Sequence, residues 1–138
     1  MAVATAVTFV WLGMVIAISF VEAPLKFRAP EVTLRIGLGI GRLVFRALNS
    51  IEVVLVAVLV VALAVGSPPR RVAVAAALVI VVLALQLVVV RPRLTRRSTQ
   101  ILAGVDLPRS RGHHAFVALE VVKVIGLAVT GGLLLAAV

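Results

Sequence analysis

Residues 51–72 read IEVVLVAVLVVALAVGSPPRRV, and this stretch decides the fold. After Glu52 the residues are apolar without interruption to Val65. The alternating polar positions of a membrane-barrel strand are missing. Gly66-Ser67-Pro68-Pro69-Arg70 then stops the segment, because proline lacks the amide hydrogen that a helix interior needs and arginine resists hydrocarbon. Upstream, the same character reaches back to near Arg42. Such a segment predicts a helix that crosses a membrane, for which about 20 apolar residues suffice.

Three more stretches of this kind surround it: from about Ala4 to Glu22, from about Val72 to Val90, and from about His114 to Val138. Together they fill most of the 138 residues and explain an apolar share of 63% and a mean hydropathy of +1.26. Soluble domains use roughly 45–50% apolar residues. The expected fold class is therefore an all-α membrane protein with four transmembrane helices in a single domain over 1–138, arranged as two helical hairpins of about 1–66 and 72–138. The first stretch is expected to stay as a helix rather than act as a cleaved signal. It is too long, no positive residue precedes it, and no soluble domain follows. The absence of cysteine excludes disulfides, thiolate metal sites and cysteine nucleophiles.

Charge sets the expected orientation. Lys26, Arg28, Arg35 and Arg42 flank the first loop, and Arg91, Arg93, Arg96, Arg97, Arg109 and Arg111 flank the third, whereas only Arg70 and Arg71 mark the second. Cationic loops remain cytoplasmic. Loops 23–41 and 91–113 are thus expected in the cytoplasm and both termini outside it. The net charge of +9 is accounted for by this topology. Nucleic acid is not an expected partner, because aromatic residues do not interleave with the basic ones. Anionic lipid headgroups are the nearer partner.

The halves also match one another. Gly41, Phe45, Ala47 and Leu48 align without gaps to Gly112, Phe116, Ala118 and Leu119, and polar residues fall between them at corresponding places. The alignment predicts duplicated hairpins inserted the same way, a parallel repeat of the kind found in some transporters. Helical spacing then turns the alignment into a site. Arg42, Asn49 and Glu52 share one face of the second helix, and His113, Glu120 and Lys123 repeat that spacing on the fourth. Glu52 and Lys123 are expected at equal depth, about 15 Å inside the helix starts and close to the midplane of a ~30 Å core. Charges that deep must face the bundle interior and pair. An ion pair between Glu52 and Lys123 is the expectation.

Glu22 lies about 6 Å inside the boundary marked by Lys26, within expected reach of Arg42 or Arg46, and loosely matches Gln86 of the third stretch. Glu120 then has no basic partner beyond Lys123, so it holds a proton or a cation. The candidate intramembrane polar site is Glu22, Asn49, Glu52, Glu120 and Lys123. Arg42, Arg46, His113 and His114 mark the boundary, where imidazoles, which titrate near neutrality, are suited to sensing pH. Adjacent histidines point about 100° apart on a helix and cannot share one metal from the same face, so no cofactor is expected.

Gly37-Leu-Gly39-Ile-Gly41 is expected as a flexible link before the second helix; it lacks the spacing and preceding strand of a nucleotide loop. Pro30 is expected to open a short amphipathic turn, and Thr95 to Ala103 a separate interfacial helix ended by Gly104. Gly126, Gly131 and Gly132, with Thr130, allow close approach of the fourth helix to a neighbour. With four helices per chain, a homo-oligomer, most simply a dimer, is expected.

The segment from Ile18-Ser-Phe-Val-Glu22-Ala-Pro-Leu-Lys26 to Pro30, with the glycine run and Arg42-Leu-Val-Phe45 and Ala47-Leu-Asn49 after it, resembles a set of small four-helix bacterial membrane proteins with no established function. The resemblance covers the first half of the chain. It implies a bacterial inner-membrane protein and brings no activity.

Three classes of function fit these residues. The first is transport or binding of a small ion, proton or solute at the intramembrane site. The second is an accessory membrane protein whose buried Glu, Lys and Asn network fixes helix packing. The third is a membrane-embedded metal or haem protein using His113, His114 and the carboxylates. Nucleophile motifs are absent, as is the Glu-x-x-His spacing of di-iron bundles, so the chain is not expected to be an enzyme. Transport predicts a cavity reaching Glu52; an accessory role predicts a dry bundle.

Overall fold

A computed structural model describes residues 1–104 and 111–138, with side chains of the last helix from His114 onward. The helices are α1 (Ala2–Lys26), α2 (Leu34–Gly66), α3 (Arg70–Leu102) and α4 (Arg111–Ala136). All four are long and apolar enough to cross a membrane, and no strand occurs among the described residues. The chain is an all-α, four-helix membrane bundle.

Local chemistry moves two helix boundaries from where hydropathy sets them. Thr33 is extended (φ −79°, ψ 167°) and its hydroxyl accepts a hydrogen bond from the Ile36 amide at 3.2 Å, so α2 starts at Leu34 instead of Arg42. Gly37, Gly39 and Gly41, expected as a flexible link, are inside this helix. Gly37 is buried beneath the Phe27 ring, which leaves no room there for a β-carbon. Pro30 opens no helix; it lies in the turn between α1 and α2, where Glu31 takes a left-handed conformation (φ 68°). At its other end α2 stops at Ser67, also left-handed (φ 48°), and Pro68 and Pro69 prevent continuation.

The second difference is in α3. It does not end at Arg91-Pro92-Arg93, and 95–103 is not a separate interfacial helix; one helix continues to Leu102. A widened, π-helical turn at Gln86–Val90 makes this feasible. Proline supplies no amide hydrogen, so a carbonyl one turn earlier loses its partner. Widening the turn redistributes those bonds without breaking the helix. The same device occurs in α1, where the turn Ile16–Glu22 is widened just before Pro24.

Each helix buries a stripe with three- and four-residue spacing, as in coiled-coil seams. The stripes are Ala4, Thr8, Trp11 and Val15 on α1, and Leu48, Glu52 and Leu59 on α2. On α3 they are Val72, Ala76, Val79, Leu83 and Gln86, and on α4 Phe116, Glu120, Lys123, Leu127, Thr130 and Leu134. The outer faces carry exposed Leu43, Val65, Leu78 and Val88, side chains as apolar as the lipid tails they would meet.

The helices alternate in direction. Met1 lies against Gly66 and Phe27 against Gly37, Phe9 meets Gly131 while Ser19 bonds Glu120, and Val79 meets Gly126 while Gln86 bonds Glu120. α1 packs on α2 and α4, α3 packs along α4, and α2 meets α3 mainly through the Arg91–Leu102 end. α2 and α4 therefore face each other across the bundle and meet through side chains. Two glycines bring α4 close to its actual neighbours. A β-carbon on Gly126 would stand 2.7 Å from Val79 Cγ2, and one on Gly131 2.7 Å from the Phe9 ring, whereas Gly132 has nothing within 4 Å.

Candidate functional site

Lys123 is 1% exposed and its ammonium bonds to three helices. Nζ is 2.6 Å from Glu52 Oε2 on α2, 2.9 Å from Gln86 Oε1 on α3 and 2.5 Å from Glu120 Oε1 on its own helix. Two of its three donors go to Glu52 and Gln86, and Glu120 is held beside it as an ion pair. The Gln86 amide also donates to Glu120 Oε1 at 2.8 Å, and the Ser19 hydroxyl donates to Glu120 Oε2. The Trp11 indole donates to Glu52 Oε2 at 2.7 Å. Every helix thus contributes a side chain to one connected network. Lys123 crosses the bundle because its four-carbon stem reaches Glu52 although the α2 and α4 backbones are not adjacent.

Taking an ion out of water costs several kcal/mol even after relaxation, and a buried pair offsets this only when its remaining hydrogen bonds are also made. Here most are. The exception is Glu52 Oε1, which is buried and makes no hydrogen bond. It is the oxygen of the cluster able to accept a proton without displacing another donor. Two carboxylates against one ammonium also leave the ionised cluster with one negative charge.

The sequence-derived site residues separate into groups. Glu52, Glu120 and Lys123 are brought together, with the expected ion pair between Glu52 and Lys123 in place. Glu22 is not part of this cluster; it stays on its own helix, 3.7 Å from Lys26, four residues on. Arg42 and Arg46 do not bind it. Asn49 also stands apart, half-buried in a groove with those arginines, because on α2 it is one turn from the stripe residue Glu52 and rotated toward α3. His114 is exposed near the start of α4, and the side chain of His113 lies outside the described residues. No group of three or more His, Asp or Glu that could hold a metal occurs among the described residues.

Trp11 and Ser19 were not legible as site residues, and Gln86 was legible only as a loose counterpart of Glu22. A signal for two of them exists: Trp11 continues the small-residue stripe of α1, and Gln86 continues the seam Val72, Val79, Leu83. Ser19 and Gln86 both sit in the widened turns, which shift side chains around the helix in a way that regular spacing does not anticipate. At ~1.5 Å per residue, Glu52 is ~27 Å along α2 from Leu34 and ~21 Å from Gly66.

A cavity of about 390 Å³ leads to it, from Lys26, Phe27 and Leu94 at the basic end to Ser19 and Glu120. Arg91 stands over the rings of Phe45 (4.8 Å) and Phe116 (5.6 Å), and those rings meet edge to face with centroids 5.6 Å apart. Lys26 approaches Phe27 and Phe45, each at 5.6 Å. The cavity reaches Glu120 and not Glu52. On the far side of the cluster, Ala4, Leu59, Val72, Ala76, Leu127 and Leu134 close into a packed apolar core. Among the described residues, the cavity that reaches the cluster opens toward the basic end. Comparison with protein families, curated proteins and solved structures gave no match for this chain.

Proposed function

We propose that this protein is a small multi-pass membrane protein that takes up a proton, or a small cationic or hydrogen-bonding solute, at Glu120 from the basic end of the bundle. The observation that carries the reading is the excess of one carboxylate in a buried cluster whose Glu120 forms the floor of a cavity. One added positive charge makes the cluster neutral, which hydrocarbon favours. Lys123 links the accessible carboxylate to the inaccessible one. The ammonium can give a proton to Glu52 Oε2, which it bonds at 2.6 Å, and regain one from a protonated Glu120 beside it. Sealing on one side and access on the other is the arrangement that alternating-access transport uses in each of its end states.

The reading includes a bacterial inner membrane, basic loops in the cytoplasm, both termini outside, a homodimeric assembly and an origin by hairpin duplication. The clustering of arginines at one end supports the orientation. Contact between Phe45 and Phe116, the aligned phenylalanines, is compatible with duplication.

A second reading is favoured by the hydrogen bonds on both Glu120 oxygens and those from Lys123 to Glu52 and Gln86: the network only fixes helix register. Infrared difference spectra of the protein in lipid, recorded across the neutral pH range, separate the two. Uptake predicts a carboxyl band that rises with acidity, disappears in Glu120→Gln and shifts in Glu52→Gln, together with proton flux into dye-loaded liposomes. A register device predicts no such band, no flux, and loss of stability in both variants.

A further inference from the structure

A second polar feature lies beside that cavity and shares Arg91 with it. At the basic end α2 and the Arg91–Leu102 end of α3 come together and frame a groove of about 450 Å³, within the size range of small-molecule sites. Arg42, Arg46 and Asn49 project into it from α2 at spacings of one and two turns, and Arg91 and Thr95 from α3 at one turn. No acidic side chain lines it, and none of its arginines takes part in an ion pair among the described residues. The Ser50 hydroxyl is already donated to the Arg46 carbonyl at 2.9 Å. The guanidiniums, the Asn49 amide and the Thr95 hydroxyl remain as donors. The groove is closed at one end by a bond from Arg35 to the Leu102 carbonyl at 2.6 Å, which ties α2 to α3. Arg91 is held in place by the Phe45 and Phe116 rings.

Such a site has one sign of charge, a large excess of donors, and planar forks that match tetrahedral oxyanions two oxygens at a time. It lies at the end of the bundle where the apolar helices give way to arginines. Basic pockets between membrane helices on the cytoplasmic side take anionic headgroups. We infer that the groove between α2 and α3 is a binding seat for a phosphate group, with Arg42 and Arg46 as the paired forks, Arg91 as the fixed third cation, and Asn49 and Thr95 as neutral donors. The ligand is the phosphodiester of an anionic lipid or the phosphate of a soluble phosphorylated solute. Arg42, Arg46, Asn49 and Thr95 do not line the cavity that ends at Glu120, whereas Arg91 lines both.

The test uses the full chain in nanodiscs. In the first arm, discs of phosphatidylcholine with a minor share of phosphatidylglycerol are read by native mass spectrometry for the lipid retained on the protein. In the second, inorganic phosphate and glycerol phosphate are tested for protection against thermal unfolding in discs of phosphatidylcholine alone. Retained phosphatidylglycerol identifies a lipid source, and protection by the soluble phosphates a solute; either supports the seat if it depends on the arginines. Arg42→Gln and Arg46→Gln are each expected to lower binding roughly tenfold, the scale of one charge-assisted hydrogen bond. Arg46→Lys, which keeps the charge and the fold but not the fork, is expected to fall between. Arg96→Gln, at the same end but outside the groove, should match wild type. Equal binding by the Arg42→Gln/Arg46→Gln variant and wild type overturns the inference. So does an Arg96→Gln loss as large as that of Arg46→Gln, since a diffuse surface potential would then account for the binding.

Discussion

Replacing Lys123 with Met keeps much of the volume and removes the charge. Three acceptors at 2.5–2.9 Å then lose their donor: Glu52 Oε2, Gln86 Oε1 and Glu120 Oε1. Trp11 still serves Glu52 and Ser19 still serves Glu120, but both carboxylates become uncompensated charges inside the bundle. Removing one member of a buried ion pair costs about 3–5 kcal/mol, whereas neutral hydrogen bonds between membrane helices average about 0.6 kcal/mol. The charge effect therefore decides the outcome. At about 4 kcal/mol the folded-to-unfolded ratio falls roughly a thousandfold. Trp11 is the only tryptophan and is fully buried beside Glu52, so its emission during denaturant titration in lipid-detergent discs reports the change directly. Adding Glu52→Gln removes one of the two stranded charges and should restore part of the loss, with a coupling of about 1–3 kcal/mol between the two positions. A cost for Lys123→Met within about 1 kcal/mol, the scale of an exposed ion pair, or strict additivity of the two changes, would refute the reasoning.

Four further outcomes follow from particular contacts. Trp11→Phe removes the indole donor 2.7 Å from Glu52 and should cost about 1–3 kcal/mol, read as a lowered denaturation midpoint by circular dichroism. Gly126→Val puts a β-carbon 2.7 Å from Val79 Cγ2 and should destabilise by about 1–3 kcal/mol, with recovery when Val79→Ala is added; absence of recovery would remove the direct contact as the cause. Thr33→Ala takes away the cap of α2 and should cost about 1 kcal/mol, seen as faster hydrogen exchange confined to the first turn after Leu34. Because the chain has no cysteine, Ser67→Cys and Ser98→Cys each carry a single thiol. An impermeant reagent added outside intact cells should label the first and not the second, and the reverse pattern would invert the proposed orientation.

Hydropathy by itself determined that the chain has four membrane helices. Segments of uninterrupted valine, leucine and alanine have no alternative that satisfies their backbone groups in lipid. Helical spacing also made Glu52, Glu120 and Lys123 legible as inward-facing groups, since each lies on a three- and four-residue seam of apolar neighbours. What lay beyond that reach has a common physical origin. Asn49 and Glu22 look as polar as Glu52 in the sequence, and only the rotation of each helix toward particular neighbours separates a network member from a groove residue or a surface pair. The start of α2 depends on one threonine hydroxyl, and the continuation of α3 past Pro92 on one widened turn; both are local hydrogen-bond events that hydropathy does not register. Which helices touch was the largest of these decisions. Packing set α2 across the bundle from α4, so the pair between Glu52 and Lys123 depends on the length of a lysine stem, and Trp11, Ser19 and Gln86 came to surround it because their helices fill the two remaining sides.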